Sequence, residues 1–170
     1  MGIAARLYTP AEAATVSEVG IKAVHNAIDR KIVEGMARQN GASAARRALT
    51  ADDLLRLKLW YGIGATLASS RRQRLFEAIK ARPAANKVKA DDLLIVDVGE
   101  ARKQIEARVK KLDEAEAAIH SVKGIAGGES VFQGTRVPVR AIAAMLVQGA
   151  AADEILESPS EKLINDYISF

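Results

Sequence analysis

The sequence predicts a mainly α protein with short β-hairpins, and three observations support this fold class. Apolar residues make up 49% of the 170 residues but aromatic residues only 4%, so alanine and branched aliphatics supply most of the core, which favours close-packed helices. Several segments repeat apolar residues at spacings of three and four, the period of one helix face. Glycine- and proline-containing stretches between these segments carry turn signals.

Two short helices open the chain. Thr9-Pro10-Ala11-Glu12 combines a capping hydroxyl, a proline at the first helical position and a glutamate at the capping-box position, so we expect a helix over residues 10–16. Residues 17–20 break it, and a second helix is expected over residues 21–31. Two short helices joined by a tight turn that contains glycine match a helix-turn-helix. The apolar stripe of the second helix is Ile21, Val24, Ala27, Ile28 and Ile32.

The opposite face of the second helix carries polar and basic residues suited to DNA. In a helix-turn-helix the second helix enters the major groove, where Asn pairs with adenine and Arg with guanine, while Lys neutralises phosphates. A solvated face of this kind is also typical of any amphipathic helix, so this helix alone does not decide between the two interpretations. The predicted DNA-binding residues here are Lys22, His25, Asn26 and Arg30.

The next stretch favours DNA binding. Residues 35–48 lack a helical stripe and contain the turn signal Asn40-Gly41, which predicts two extended arms of a basic β-wing. Thr50 then caps a further helix whose apolar positions run from Leu54 to Trp60. The order of elements is that of a winged helix-turn-helix. The predicted wing contacts are Arg38, Arg46 and Arg47.

These elements carry a family resemblance. The pattern Tyr8-Thr9-Pro10-x-Glu12-Ala13-Ala14, then Ala27-Ile28 and Lys31-Ile32-Val33, then Arg46-Arg47-x-Leu49-Thr50, resembles a MerR-type DNA-binding module. The resemblance implies a winged helix-turn-helix that binds operator DNA. The alanine-rich residues 36–45 depart from the pattern and leave the strands of the wing poorly defined.

Charge is divided unevenly along the chain. Residues 1–89 contain 16 Lys and Arg against 7 Asp and Glu, a net charge of +9, whereas residues 90–170 contain 9 against 14, a net charge of −5. A basic half suits a polyanion such as DNA. An uneven distribution with no functional meaning is the alternative interpretation.

Composition also predicts what the protein lacks. The absence of Cys excludes disulfides and thiolate metal sites, and the two His residues lie in different predicted helices, so we expect no metal, no cofactor and no catalytic group. Neither a membrane-span run nor a signal-peptide pattern is present, and the expected location is the cytoplasm.

The middle of the chain predicts two helices and a strand. A helix is expected over residues 65–80, and its Arg71, Arg72 and Arg74 are more often solvated or paired than bound to phosphate. The apolar run at residues 93–98 predicts a buried strand. A long helix over residues 100–121 follows, which either pairs in a homodimer or packs within one chain. The predicted domains are residues 1–85, which bind DNA, residues 86–123, which form the strand and connector, and residues 124–170.

The last third predicts a small helical module resembling a helix-turn-helix. Val131 and Val137 predict two short strands joined by the tight turn Gln133-Gly134. A helix over residues 140–148 should bury Ile142, Met145 and Leu146 and stop at Gly149. Helices over residues 152–156 and from Ser158 onward complete the pattern. Because the chain stops inside the last of these helices, we expect the protein to continue beyond Phe170.

The same third resembles a known family. Gly127-Gly128, then Val131-Phe132-Gln133-Gly134-Thr135-Arg136-Val137-Pro138-Val139, with Leu146 to Ala150 and Glu154-Ile155-Leu156, resembles the domain of unknown function family numbered 433. Its members are small helical modules found in VapB-like antitoxins of bacterial toxin–antitoxin pairs. We expect the glycines to permit turns and Arg136 to bind hairpin carbonyls or carboxylates. The motif residues are Gly127, Gly128, Gly134, Thr135, Arg136 and Pro138.

The two resemblances imply a function. The chain is expected to be an antitoxin that neutralises a PIN-like ribonuclease toxin by protein binding and represses its own operon as a DNA-bound homodimer. A stand-alone dimeric transcriptional regulator with no toxin is the alternative. A module that binds only protein, and an enzyme whose pocket is lined by carboxylates and Arg136, are the remaining hypotheses.

Overall fold

The computed structural model describes residues 6–38, 46–121, 128–151 and 155 of the chain. Helices dominate these residues, and their strands form three two-stranded antiparallel sheets, so the predicted mainly α class with short β-hairpins is confirmed. The chain divides into two compact units, Met1–Ala107 and Arg108–Phe170.

The first unit begins with helices α1 (Pro10–Ser17) and α2 (Ile21–Asp29). The predicted capping box is confirmed: the Thr9 hydroxyl accepts a hydrogen bond from the Glu12 N–H at 3.3 Å, and the Glu12 carboxylate accepts one from the Thr9 N–H at 2.6 Å. Glu18 caps the C-terminal end of α1, and its φ of 58° turns the chain sharply towards α2. A tight turn of three residues therefore separates the two helices.

A short hairpin follows α2. Strands β1 (Met36–Arg38) and β2 (Arg46–Ala48) pair antiparallel, with Ala37 opposite Arg47. The two extended arms predicted around Asn40-Gly41 are confirmed, and the turn between them lies outside the described residues. Two backbone hydrogen bonds of 2.8 Å join Tyr8 to Leu49, so the segment before α1 is tied to the end of β2.

Helix α3 (Ala51–Tyr61) packs against α1. Its predicted cap is confirmed as a second capping box, in which the Thr50 hydroxyl accepts from the Asp53 N–H at 3.2 Å. Leu54 and Leu57 are fully buried. The hydroxyl of Ser17, a polar side chain that is only 1% exposed, donates to the Leu54 carbonyl at 3.0 Å and fastens α1 to α3.

The single helix predicted over residues 65–80 is wrong at its start. The structure has a one-turn helix, α4 (Ile63–Thr66), an extended residue at Leu67, and then α5 (Ser69–Ala81). The chain bends so closely at Gly64 that a Cβ there would lie 2.8 Å from the Leu59 carbonyl oxygen. The predicted helix is interrupted at Leu67, whose backbone is extended, and an apolar-spacing pattern does not register such a break.

Strands β3 (Lys87–Lys89) and β4 (Ile95–Asp97) form a second hairpin, followed by helix α6 (Val98–Ala117). The strand predicted over residues 93–98 is confirmed at Ile95–Asp97, but its full burial is wrong, because only alternate residues of β4 face the core. Val96 is buried, whereas Leu93 and Ile95 are 95% and 57% exposed. The core shared by these elements consists of Leu55, Leu59, Leu75, Phe76, Val88, Ala90, Val96, Val98 and Ala101.

In the second unit the predicted end of the long helix is also wrong. Helix α6 stops at Ala117, and strand β5 (Ile119–Ser121) pairs with β6 (Ser130–Phe132). Val137 does not form a second strand with Val131, since only Pro138 makes an isolated bridge to Val131. The core of the unit contains Phe132, Ile142 and Ile155.

Helix α7 (Val139–Val147) ends as predicted at Gly149, whose φ is 87°. The N–H groups of Gly149 and Ala150 donate to the carbonyls of Leu146 and Met145, the paired bonds of a Schellman motif. The helices predicted over residues 152–156 and from residue 158 onward lie outside the described residues, except Ile155, which is helical and buried.

Candidate nucleic-acid interface

Helix α2 presents the predicted DNA-binding face to solvent. Lys22, His25 and Asn26 are exposed on α2, and Arg30 is exposed where the helix ends. Residues three and four apart share one face of a helix, so these four side chains lie on one surface. The opposite face is buried in the core through Val24 and Ala27.

Contacts behind α2 fix its position. The Tyr61 hydroxyl of α3 donates to the Ala23 carbonyl at 2.9 Å. At the turn before α2, the Glu18 carboxylate accepts a charged hydrogen bond of 2.6 Å from the Lys58 ammonium. Helix α3 therefore holds both the body of α2 and the turn that leads into it.

The hairpin β1–β2 is linked to the same surface. Nη1 of Arg47 donates to Oδ1 of Asp29 at 2.7 Å, with both side chains about half exposed. An exposed pair of this kind contributes only about 0–1 kcal/mol to stability, so its main effect is to hold the Arg47 guanidinium beside α2. In the strand register Arg38 lies opposite Arg46, and the side chains of both lie outside what the structure describes.

Lys31 is a candidate residue that the sequence prediction missed. Its φ is 55°, the left-handed conformation that closes α2 through a bond of 2.8 Å from the Ile32 N–H to the Ala27 carbonyl. Glycine is the usual residue at this position, and a residue with a Cβ costs about 1 kcal/mol there. The only sequence signal for this role of Lys31 is that no glycine stands at the end of α2. Lys31 therefore adds an exposed cation next to Arg30, although its left-handed backbone is strained.

The arginine cluster of α5 is used within the fold. Nε of Arg71 pairs with Asp91 at 2.6 Å, and the Arg72 guanidinium lies 4.7 Å from the centre of the Trp60 ring while Nη1 donates to the Gly64 carbonyl. For these two arginines the paired interpretation is confirmed.

The described residues meet the requirements of neither a metal site nor a membrane-spanning helix. Among them, no three His, Asp or Glu side chains come together as a possible metal site. No helix in the described part of the chain is long and apolar enough to cross a membrane.

The motif residues of the second unit build a turn and the start of a helix. Gly134 has a φ of 74°. The Thr135 hydroxyl donates to the Phe132 carbonyl and accepts from the Val137 N–H, each at 3.0 Å. Pro138 immediately precedes α7, and Gly128 adopts a φ of 86°. Gly127 lies outside the described residues.

Among the described residues, the arginine that contacts a carboxylate near this hairpin is Arg140. Arg136 is exposed and forms no hydrogen bond within the described part of the chain. Instead, Nε of Arg140 donates to Oε2 of Glu129 at 2.7 Å, which ties the start of α7 to the segment before β6.

Residues 119–160 match the family model described as Protein of unknown function (DUF433). The DUF433 segment begins just after α6 and contains β5, β6 and α7, so the resemblance of the last third of the chain is confirmed. Comparisons with curated proteins and with solved structures gave no match.

Proposed function

We propose that the chain is the antitoxin of a bacterial type II toxin–antitoxin pair. Its first unit binds operator DNA as a MerR-like winged helix-turn-helix and represses its own operon in the cytoplasm. Its DUF433 segment takes part in binding a PIN-like ribonuclease toxin. The observation that carries the DNA-binding half is the exposed polar face of α2 with the hairpin β1–β2 tied to it by the Asp29–Arg47 bond.

The dimensions and chemistry of this surface suit the major groove. Helix α2 has nine residues and is about 13 Å long, and the groove is about 12 Å wide. The Asn26 amide has the donor and acceptor that pair with the edge of adenine. Lys22, Arg30 and Lys31 supply cations for phosphates on either side.

The hairpin supplies the second DNA contact. Asp29 holds the Arg47 guanidinium at the end of α2, which reduces the conformational freedom that Arg47 loses when it meets a phosphate. A phosphate can accept from the Arg47 donors that point away from Asp29, since a guanidinium has five. In the proposed complex α2 lies in the major groove and the hairpin contacts the adjacent backbone.

The proposed protein is a homodimer on DNA. Two copies of α2 would occupy successive major grooves, about 34 Å apart, on a two-fold symmetric operator. A stand-alone dimeric regulator with no toxin is the second candidate. The match of residues 119–160 to DUF433 supports the antitoxin form through the resemblance of that family to VapB-like antitoxins.

The DNA-binding proposal is tested by fluorescence anisotropy with a duplex from the protein's own promoter, at several salt concentrations. Asn26→Ala should weaken binding by about 1–3 kcal/mol and relax base preference at one position of each half-site. Lys22→Ala should weaken binding to all sequences equally and lower the salt slope by about one. Arg46→Ala and Arg47→Ala should act like Lys22→Ala.

Lys103→Ala on α6 is the matched control, because Lys103 is another exposed lysine of the first unit, outside the candidate interface. It should change neither affinity nor salt slope. Absence of DNA binding at low salt, or equal effects of Lys103→Ala and Lys22→Ala, would refute the proposed interface.

The toxin-binding half has a separate test. The product of the neighbouring reading frame should co-purify with this chain and show ribonuclease activity that the chain inhibits. DNA binding without such a partner would establish the stand-alone regulator instead. If the chain inhibits the ribonuclease but shows no salt-dependent DNA binding, the remaining hypothesis is a module that binds only protein.

A further inference from the structure

The first unit contains a cavity behind the candidate interface. It has a volume of about 400 Å³ and lies between α3, α5 and residues 32–35, which lead from α2 to β1. This volume is within the range of about 300–1,000 Å³ typical of small-molecule sites. Its apolar walls include Val33, Leu55, Leu59, Phe76 and Ile79.

Arg56 is the unusual residue of this cavity. Its guanidinium carbon lies 5.2 Å from the centre of the Phe76 ring, and its Nε is buried with no hydrogen-bond partner. A buried donor with no acceptor is costly, and donors of this kind in folded proteins normally have a partner. Arg56 also forms no salt bridge with a described residue.

The other charged groups of the cavity differ from Arg56. Arg102 directs its guanidinium to the carbonyls of Ala85 and Pro83, so two of its five donors are already used. The carboxylate of Asp53 accepts from Thr50 in the capping box of α3. Lys80 follows Phe76 by one turn of α5, so a second cation lies beyond the ring on which Arg56 stacks. The cavity therefore has an apolar body, and its remaining charged lining consists of Arg56 with its unpartnered Nε, the Lys80 ammonium and the carboxylates of Glu34 and Asp52.

We propose that this cavity binds a small organic carboxylate with an apolar body. The planar fork of Arg56 matches the two oxygens of a carboxylate, and Lys80 adds a second cation. The apolar part of the ligand would pack on Phe76, Leu55 and Ile79. This site does not depend on DNA binding, and no residue of the candidate interface contributes its side chain.

Octanoate and its neutral analogue octanamide are matched probes of this proposal. Trp60 is the single tryptophan of the chain, and its ring centre is 5.2 Å from that of Phe76, so ligand binding should change its fluorescence. Octanoate should give a saturable change with a dissociation constant in the millimolar range or below. Octanamide should bind at least about tenfold more weakly, because it lacks the charge that Arg56 recognises.

Variants assign the site to Arg56. Arg56→Gln should weaken octanoate binding by about tenfold or more and leave octanamide binding unchanged, while Arg56→Lys should have an intermediate effect because it keeps charge but loses the fork. Arg74→Gln is the control, since Arg74 is exposed on α5 and does not line the cavity. Circular dichroism melts establish that each variant is folded. No saturable binding of octanoate to the wild-type chain, equal affinity for octanamide, or full binding by folded Arg56→Gln would overturn the proposal.

Discussion

The most exposed large apolar side chains of the two units lie on different elements, Leu93 and Ile95 at the β3–β4 hairpin in the first unit and Val147 on helix α7 in the second. In the first unit several large side chains are fully buried, among them Leu49, Leu54, Leu57 and Leu75. In the described part of the second unit Val131 and Phe132 are likewise fully buried, and helix α7 leaves Val147 87% exposed and Met145 38% exposed. A helix with apolar residues on all sides is normally covered by another surface.

The two units also differ in net charge. Residues 1–107 contain 18 Lys and Arg against 12 Asp and Glu, whereas residues 108–170 contain 7 against 9. The first unit can therefore attract a polyanion, while the second offers apolar contacts without strong charge. In the proposed function the first surface meets DNA and the second meets a protein partner.

The largest expected effect concerns the two cores. Leu57→Ala should destabilise the first unit by about 2–5 kcal/mol, because the residue is fully buried and its removal leaves a cavity. Ile142→Ala should fall at the lower end of that range, since its half-buried neighbours Val139 and Leu146 can close on the space. Urea denaturation followed by Trp60 fluorescence should shift for Leu57→Ala and not for Ile142→Ala. A shared shift would contradict the view that the cores are separate.

A smaller effect concerns how each unit ends its helices. Thr50→Ala removes the hydroxyl that caps α3 and should cost about 1 kcal/mol in the first unit. Gly149→Ala forces a Cβ into a φ of 87° and should cost about 1 kcal/mol in the second. Far-UV circular dichroism melts of both variants check these losses. The matched control is Ala68→Ser, which offers α5 the cap it lacks and should raise stability by a few tenths of a kcal/mol to about 1 kcal/mol.

Lys31→Gly separates stability from the proposed function of the first unit. Glycine adopts the left-handed conformation without strain, so the variant should be more stable by about 0.5–1 kcal/mol. The loss of one cation should lower DNA affinity and reduce the salt slope by about one. Chemical denaturation and the anisotropy titration measure the two effects. Unchanged DNA affinity would show that Lys31 has no part in the interface.

The smallest effect on stability is expected at the exposed face of α7. Val147→Lys should change the free energy of unfolding by no more than about 0.5 kcal/mol, because the side chain is 87% exposed. If this face contacts a protein partner, the same substitution should weaken that complex markedly while DNA binding is retained. A partner complex unaffected by Val147→Lys would locate the contact elsewhere.

Local signals predicted much of the fold. The capping boxes at Thr9 and Thr50 and the stop at Gly149 each depend on residues within one turn of the helix end, so their sequence patterns suffice. Strand β5 was missed because Ile119–Ser121 continue a helical apolar spacing and become a strand only by pairing with β6. The sequence places Leu93 in a buried strand, but Leu93 is exposed. Burial depends on which face of a sheet other segments cover, and a local pattern does not contain that information.

The candidate sites divide in the same way. The polar face of α2 follows from helical spacing alone, and the sequence predicted it. The bond between Asp29 and Arg47 joins residues 18 positions apart, and the unused donor of Arg56 depends on what surrounds it. Neither has a sequence signal, because both arise when distant segments meet.

The buried bond from Ser17 to Leu54 has a consequence for how the chain forms during its synthesis. Its two partners are 37 residues apart, so α1 cannot acquire this contact until α3 has left the ribosome. Helix α2 depends on the same event, because the Tyr61 hydroxyl that holds it also belongs to α3. A nascent chain that carries only the first two helices would therefore lack the contacts that hold the proposed DNA-binding surface in place. If the chain represses its own operon as proposed, repression would begin only after translation has passed well beyond residue 61.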